Sequence, residues 1–479
     1  MHASTASLTR TTNVPGGTIV ALGVHYSINN VKDFATRIIG QYDAPGGSGL
    51  DADAPLVLRA AKSTEVLAAV IDQIGRGRVV ALVPESSSDE YVAEIRSQIT
   101  AFSLDRGDNP GDDGILALPT SGSTGRPKLV ALPVSGIERF MTWAAEQFGF
   151  SEASRSLSLS PWNFDVSLLD TWAVLAAGGT VLAARPDRLR DPGYPSGLLR
   201  SQDVTFVQTV PSTLEDLVRS RVEGESFPSV RDVVLTGGAA SIATRAAAAE
   251  LFPWARFHNI YGSTEVNDCL IQVLPAEAFA TAATLPLGIP ISGCEIHLDH
   301  RGTVRPLGDC PDGAEGELLV HTPWMATGYI TDGRIEPLVA PTSEPVLHRM
   351  RDRVILTGGQ IHFTGRTDRT VKLRGQRLNL DEVEHAASAT GLVGAACAWI
   401  ESSESGEHLH LAYTNTPADQ ANPSGLQLRM LLSRRLPPYA MPNRLHPFDV
   451  PFPLNGNGKP HLKKIKNIVG EEINHGHRR

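Results

Sequence analysis

Short apolar runs that alternate with stretches of helical period constrain this chain more than any other feature. Ile19 to Val24 and Val79 to Val83 read as strands, and Ser63 to Ile74 reads as a helix between them. Beyond Val134 the spacing predicts a helix to about Phe148, a strand at Ser156 to Leu159, a helix at Ser167 to Ala177 and a strand at Val181 to Ala184. The alternation continues through Val204 to Val210, Leu214 to Val218, Val233 to Thr236, Ala239 to Leu251 and Phe257 to Ile260. A strand that returns through a helix runs parallel to its predecessor, so an α/β body of helix-covered, mostly parallel sheets is predicted. Between Gly288 and Tyr329 the texture changes to glycine-punctuated strands such as Glu295 to Leu298 and Glu317 to Val320, which predicts a small antiparallel, barrel-like subdomain. After Asp368 a compact α+β segment follows, and the expected domains are residues 1–367 and 368–479.

Composition excludes several partner classes. With 41% hydrophobic and 20% charged residues and a net charge of −9, nothing in the charge attracts nucleic acid or an anionic membrane. Cys269, Cys294, Cys310 and Cys397 form no CxxC pair, which argues against a zinc site or a disulfide framework. No signal peptide and no membrane-spanning run is legible, so a cytoplasmic location is expected.

Chemistry first shows at Leu118-Pro-Thr-Ser-Gly-Ser-Thr-Gly-Arg-Pro-Lys128, eleven residues with two Gly, two Ser, two Thr and two cations. Gly122 and Gly125 let backbone N–H groups converge on an anion, and Thr120, Ser121, Ser123, Thr124, Arg126 and Lys128 add further contacts. Pro127 separates the two cations, so this is not a Gly-Lys-Ser/Thr loop opening a helix. The flanking runs, Ile115 to Leu118 and Leu129 to Leu132, make it a hairpin tip, and by composition alone a solvated Ser/Gly loop is an equal reading. A second group, Asn259-Ile-Tyr-Gly-Ser-Thr-Glu265, puts an aromatic face, a hydroxyl and a carboxylate just past a predicted strand, which suits a nucleotide.

Thr-Ser-Gly-Ser-Thr-Gly-x-Pro-Lys resembles the phosphate loop of the adenylate-forming superfamily, which joins acyl-CoA synthetases, luciferases and the adenylation domains of nonribosomal peptide synthetases. The resemblance runs over roughly residues 115 to 465, while the family's opening motifs are not found before residue 80. It implies ATP and Mg²⁺ as cofactors. Tyr261 would stack on adenine, Asn259 would bond its exocyclic amine, Thr264 would touch phosphate and Glu265 would hold the metal, with Gly238, Ala239 and Gly262 also at nucleotide positions. Asp352, left from a degraded family segment, would meet the ribose. In the long match Gly365 to Glu384, Arg366 would meet the nucleotide, Asp368 would be a hinge, and the Lys372 to Arg377 loop around Gly375 would line a thiol channel. Glu382 and Glu384 are taken as solvated. Pro453-Leu-Asn-Gly-Asn-Gly-Lys459 resembles the loop that carries the catalytic lysine, and turning of the C-terminal domain would exchange Lys459 for the thiol channel. Gly313 to Tyr329 matches a structural motif without a catalytic role.

Substrate class rests on Asn163-Phe-Asp-Val-Ser-Leu168. In amino-acid-activating members the matching carboxylate pairs with the α-ammonium, so Asp165 implies an amino acid; as a local alternative, Asp165 precedes an apolar helix and is able to cap it. The pocket positions would be Val166, Leu169, Thr209, Leu235, Gly237, Ile260, Asp268 and Cys269, which imply a small neutral substrate such as alanine. Asp268 fits that set only by pointing away or by marking a polar substrate. No carrier sequence follows Lys459, so the phosphopantetheine thiol would belong to a carrier protein acting in trans. The rivals are a carboxylic acid–CoA ligase, which Asp165 disfavours, and an inactive adenylate-fold protein that only binds nucleotide or carrier, which Lys459 and Glu265 disfavour.

Overall fold

The computed structural model describes residues 18–21, 24–27, 55–106, 113–120, 128–189, 191, 193–339, 346–373, 376–403, 406–415, 425–448, 451–453 and 460–476. Internal contacts divide the chain into two units, one of Met1–Glu85, Glu94–Pro119 and Leu129–Thr367, the other of Ser86–Ala93, Thr120–Lys128 and Asp368–Arg479.

The first unit contains a nine-stranded sheet ordered Ile289–Pro290, Asn267–Leu274, Arg256–Ser263, Asp232–Thr236, Phe206–Thr209, Arg155–Ser158, Thr180–Ala183, Thr18–Ala21 and Val24–Ser27. Its middle is parallel, as the βα alternation requires, and antiparallel strands close both edges. A six-stranded sheet carries Lys128–Pro133 beside Ile115–Thr120, and Val79–Val83 and Leu56–Arg59 follow in parallel. Helices begin where the sequence offers a cap: Ser63 accepts from the Val66 amide ahead of Thr64–Gly75, and Ser241 accepts from the Thr244 amide ahead of Ile242–Leu251. One large apolar cluster spans Leu58, Leu82, Val130, Phe140, Trp172, Ile260 and Trp324; a second packs Leu157, Val207, Leu235, Leu251 and Phe257.

The helix expected at Ser167 to Ala177 is present, but its first part is wound as a wider π-turn over Leu168–Ala173 with all six residues buried. Such a turn persists only where packing holds it.

A five-stranded antiparallel sheet answers the expected barrel-like piece, in the order Thr303–Pro306, Glu295–His300, Glu315–His321, His348–Thr357 and Gln360–Arg366. Here Gly316 is pressed against its neighbour strand: a Cβ would stand 2.3 Å from the Asp299 carbonyl oxygen. The matching position on the next segment, Gly328, would bring a Cβ to 2.2 Å from the Glu336 carbonyl oxygen.

In the second unit a hairpin, Thr370–Leu373 with Gln376–Asn379, leads into helix Leu380–Ser388, which packs on the sheet Val393–Ser403, Gly406–Asn415 and Arg444–Phe448. Glu382 and Glu384 depart from expectation. Glu382 is buried, and Glu384 takes two bonds from the Arg369 guanidinium at 2.8 Å each and one from the Ala398 amide at 2.6 Å. A charge-assisted pair of this kind draws the carboxylate out of water. The unit boundary is marked chemically: the Thr367 amide donates to Arg351 O at 2.8 Å, whereas the Asp368 carboxylate accepts from the Thr370 amide and hydroxyl at 3.1 and 2.9 Å.

Gly316→Ala and Gly328→Ala should each cost on the order of 1–3 kcal/mol because backbone must shift. Urea midpoints should fall while activity per folded molecule stays unchanged; an unaltered midpoint would show that these strands are not in enforced contact.

Candidate active site

Strand Arg256–Ser263, paired on both sides within the nine-stranded sheet, carries the second motif to its own C-terminal end, where the chain turns back into Asn267–Leu274. The register slips between Tyr261 and Gly262, and a Cβ at Gly262 would stand 2.0 Å from the Asn267 carbonyl oxygen, so only glycine closes the turn. Thr264 and Glu265 sit on this turn. Within the motif Gly313 to Tyr329, expected to be structural, the segment from Thr322 to Tyr329 clamps both ends of the turn. Tyr329 donates its hydroxyl to Glu265 Oε1 at 2.8 Å, the Ala326 amide donates to Glu265 O at 2.8 Å, Thr322 donates to Val266 O at 2.9 Å and the Trp324 indole donates to Asp268 O at 3.0 Å. The motif's own tyrosine carries the signal, because its hydroxyl reaches a residue 64 positions away.

On the nucleotide side, Tyr261 donates its hydroxyl to Asp352, and the Arg366 guanidinium donates to the same carboxylate from the opposite oxygen. Three residues 91 and 14 positions apart thus meet in one hydrogen-bonded set. Asp352 is buried, and the arginine supplies the charge that burial demands. Burial, first, and Asp352, second, hold the Tyr261 phenol protonated well above its ordinary range. Asn259 spends its side-chain N–H on Pro286 O at 2.7 Å, which leaves its carbonyl oxygen to accept from a donor such as an exocyclic amine. Gly237, Gly238 and Ala239 lie between strand Asp232–Thr236 and helix Ile242–Leu251.

Asp165 stands on the loop ahead of the π-turn. Ser167, not Asp165, occupies the cap position of that turn. Burial pushes the Asp165 carboxyl up to about 6, the Glu265 charge adds to the shift, and bonds to the Val166 amide and the Thr264 hydroxyl oppose it. Asp268 is pushed up to about 8 by burial and by Asp165. The Glu265 charge thus acts on Asp165, and the Asp165 charge on Asp268, an arrangement relieved by a cation. Among the expected pocket residues, Leu169 and Ile260 share one apolar cluster. Val166 is half-buried, and Cys269 lies buried with its thiol on Tyr261 O at 3.4 Å.

Two expectations are corrected. Leu235 packs with Val207, Val233 and Leu251, on the opposite sheet face from Ile260, and its register partner Thr209 donates to Val234 O at 3.2 Å. Period-two alternation makes Thr236, not Leu235, the partner of Ile260.

Thr120 and Lys128 frame the phosphate loop, the Thr120 hydroxyl donating to Lys128 O at 3.4 Å. Ser121, Gly122, Ser123, Thr124, Gly125, Arg126, Gly375 and Lys459 lie outside the described residues. As to Mg²⁺, no cluster of three or more His, Cys, Asp or Glu side chains suited to a metal occurs among the described residues. Glu265, with one oxygen committed to Tyr329, suits an ion that takes one or two carboxylates and completes its shell with phosphate and water.

Known proteins share this fold. The family model described as AMP-binding enzyme matches residues 50–330, beginning upstream of the first motif legible in the sequence. A D-alanine–D-alanyl carrier protein ligase of Bacillus anthracis is 28% identical over 368 residues, 75% of this chain and 72% of that protein. The Vibrio cholerae adenylation domain AlmE, solved with glycyl-adenosine-5'-phosphate, superposes with a TM-score of 0.76 at 18% identity, covering 97% of this chain and 96% of that one. An o-succinylbenzoate CoA synthetase of Bacillus subtilis gives a TM-score of 0.74 at 18% identity over 96% of this chain and 97% of that one. The fold is thus common to structures described as an adenylation domain and as a CoA synthetase.

A non-titrating replacement tests the carboxylate crowding. Asp268 is neutral in the folded chain up to about pH 8, while its unfolded counterpart ionises near 3.8, so the folded state holds the extra proton across that window and stability falls as pH rises through it. Asp268→Asn should therefore stabilise the protein more at pH 9 than at pH 5 in thermal melts, and an equal effect at both would show that Asp268 does not carry this proton.

Proposed function

The chain belongs to the AMP-binding enzyme family, and we propose that it activates a small neutral amino acid, alanine above all, to aminoacyl-AMP with release of pyrophosphate. It then passes the aminoacyl group to the phosphopantetheine thiol of a carrier protein supplied in trans, in the cytoplasm. One observation carries the choice of an amino acid: Asp165, half-buried on the loop ahead of the π-turn, has its pKa raised by burial and by the Glu265 charge, and the α-ammonium of an amino acid is a cation that would pair with it. A fatty or aryl acid brings no such charge. The name of the Bacillus anthracis relative, which joins D-alanine to a carrier protein, supports both substrate and acceptor.

Tyr261, Asp352 and Arg366 bind the nucleoside end and Asn259 accepts from the adenine amine, while Thr264 and the Thr120–Lys128 loop meet phosphate. Mg²⁺ on Glu265 would neutralise phosphate charge. Lys459, by its motif, would bind the carboxylate and α-phosphate where negative charge grows. The change of tether between Thr367 and Asp368 supports Asp368 as hinge, with residues 1–367 and 368–479 as the domains and Gly375 at the thiol channel.

Pyrophosphate exchange across a panel of amino acids should be fastest with a small neutral one, and fastest exchange with an aromatic or basic amino acid would refute the substrate reading. Asp165→Ala should lose on the order of 2–5 kcal/mol of transition-state stabilisation with the fold intact, as for an unpaired buried charge. Lys459→Ala should slow adenylate formation by about 100-fold or more, yet leave transfer from supplied aminoacyl-AMP nearly intact. Equal loss in both assays would remove Lys459 from its assigned step.

A further inference from the structure

Around Ser158 stands a group of charged and hydroxyl side chains with no assigned role. Lys62, just ahead of the cap of helix Thr64–Gly75, donates its ammonium to Ser158 O at 2.6 Å and to Ser158 Oγ at 3.3 Å. Ser158 ends strand Arg155–Ser158, and two more side chains converge on its hydroxyl: the Trp162 indole donates to it at 3.3 Å, and Thr171 Oγ1 lies 2.8 Å away. Thr171 in turn bonds Asp170 Oδ1 at 2.7 Å. Asp170 is completely enclosed, and its Oδ2 has no hydrogen-bond partner among the described residues. Burial drives the Lys62 ammonium down to about 8 and the Asp170 carboxyl up to about 7, and the charge of each opposes the shift of the other.

The connectivity gives this group a purpose. Trp162 and Thr171 bring the two ends of one loop back to a single hydroxyl, and Asp165, Val166 and Leu169 lie between them. Backbone bonds carry any displacement across the loop: the Leu168 amide donates to Asp165 O at 2.9 Å, and the Leu169 amide to Val166 O at 3.3 Å. The π-turn that bears Asp170 and Thr171 turns both side chains into the interior, at the cost of poorer helical geometry.

We propose that Lys62 and Asp170 are positioning residues for the amino acid: their charges close a clasp on Ser158 that fixes the loop bearing Asp165. This rests on the reading that Asp165 holds the substrate ammonium.

The test is Lys62→Met/Asp170→Leu, which replaces both charges by apolar groups and so leaves neither one buried alone. It should melt within a few degrees of the parent, while KM for the amino acid rises about tenfold and KM for ATP changes less than about twofold. Parental KM values in that folded variant, or an equal rise for both substrates, would overturn the proposal. Should the double variant fail to fold, Thr171→Val cuts the link without changing shape and should raise the amino-acid KM alone, whereas Lys62→Arg should keep it near the parent. If the parent shows no amino-acid-dependent exchange at all, the proposed function fails, and hydrogen–deuterium exchange of residues 162–173 still decides the clasp. Faster exchange in Thr171→Val supports it, and unchanged exchange overturns it.

Discussion

Carboxyl groups drawn together in a poorly solvated place are the constraint on which the site depends. Asp165, Glu265 and Asp268 come from a loop, a turn and a strand; Glu265 makes ionisation of Asp165 harder, and Asp165 that of Asp268. A fold that only needed packing would place apolar residues at such positions, because an uncompensated buried carboxylate costs more than it returns. The arrangement makes sense when a ligand supplies the missing cation. The same logic, solved internally, operates at Asp352, where Arg366 provides the charge and Tyr261 a further donor.

These carboxylates are precise only because their backbones are held from outside. The segment from Thr322 to Tyr329 ties down Glu265, Val266 and Asp268 through a hydroxyl, an amide, a phenol and an indole. The loop bearing Asp165 is tied to Ser158 from both ends. Supporting contacts of this kind decide whether a binding group stands at hydrogen-bond distance or an ångström away, a difference large enough to govern affinity and rate.

A family motif and a β-strand's alternation can disagree, and Leu235 shows how. Its place in the motif assigns it to the substrate side, yet the strand faces it with Val233 into the layer of Leu251 and Phe257. Thr209 follows through its register with Leu235.

By itself the sequence determined the parallel α/β body, the helices after Lys62 and Ala239 and the antiparallel piece after Gly288. Local periodicity and short motifs are written in neighbouring residues, and the physics that reads them is local too. Only the tertiary structure decided that Glu382 and Glu384 leave solvent, that Leu235 turns from the substrate side, that Tyr329 holds Glu265, and that Lys62 answers Asp170. Each of these joins residues distant in the chain or sets one face of an element against another, and the energy that fixes them is burial and charge pairing, which exist only once the chain has closed on itself.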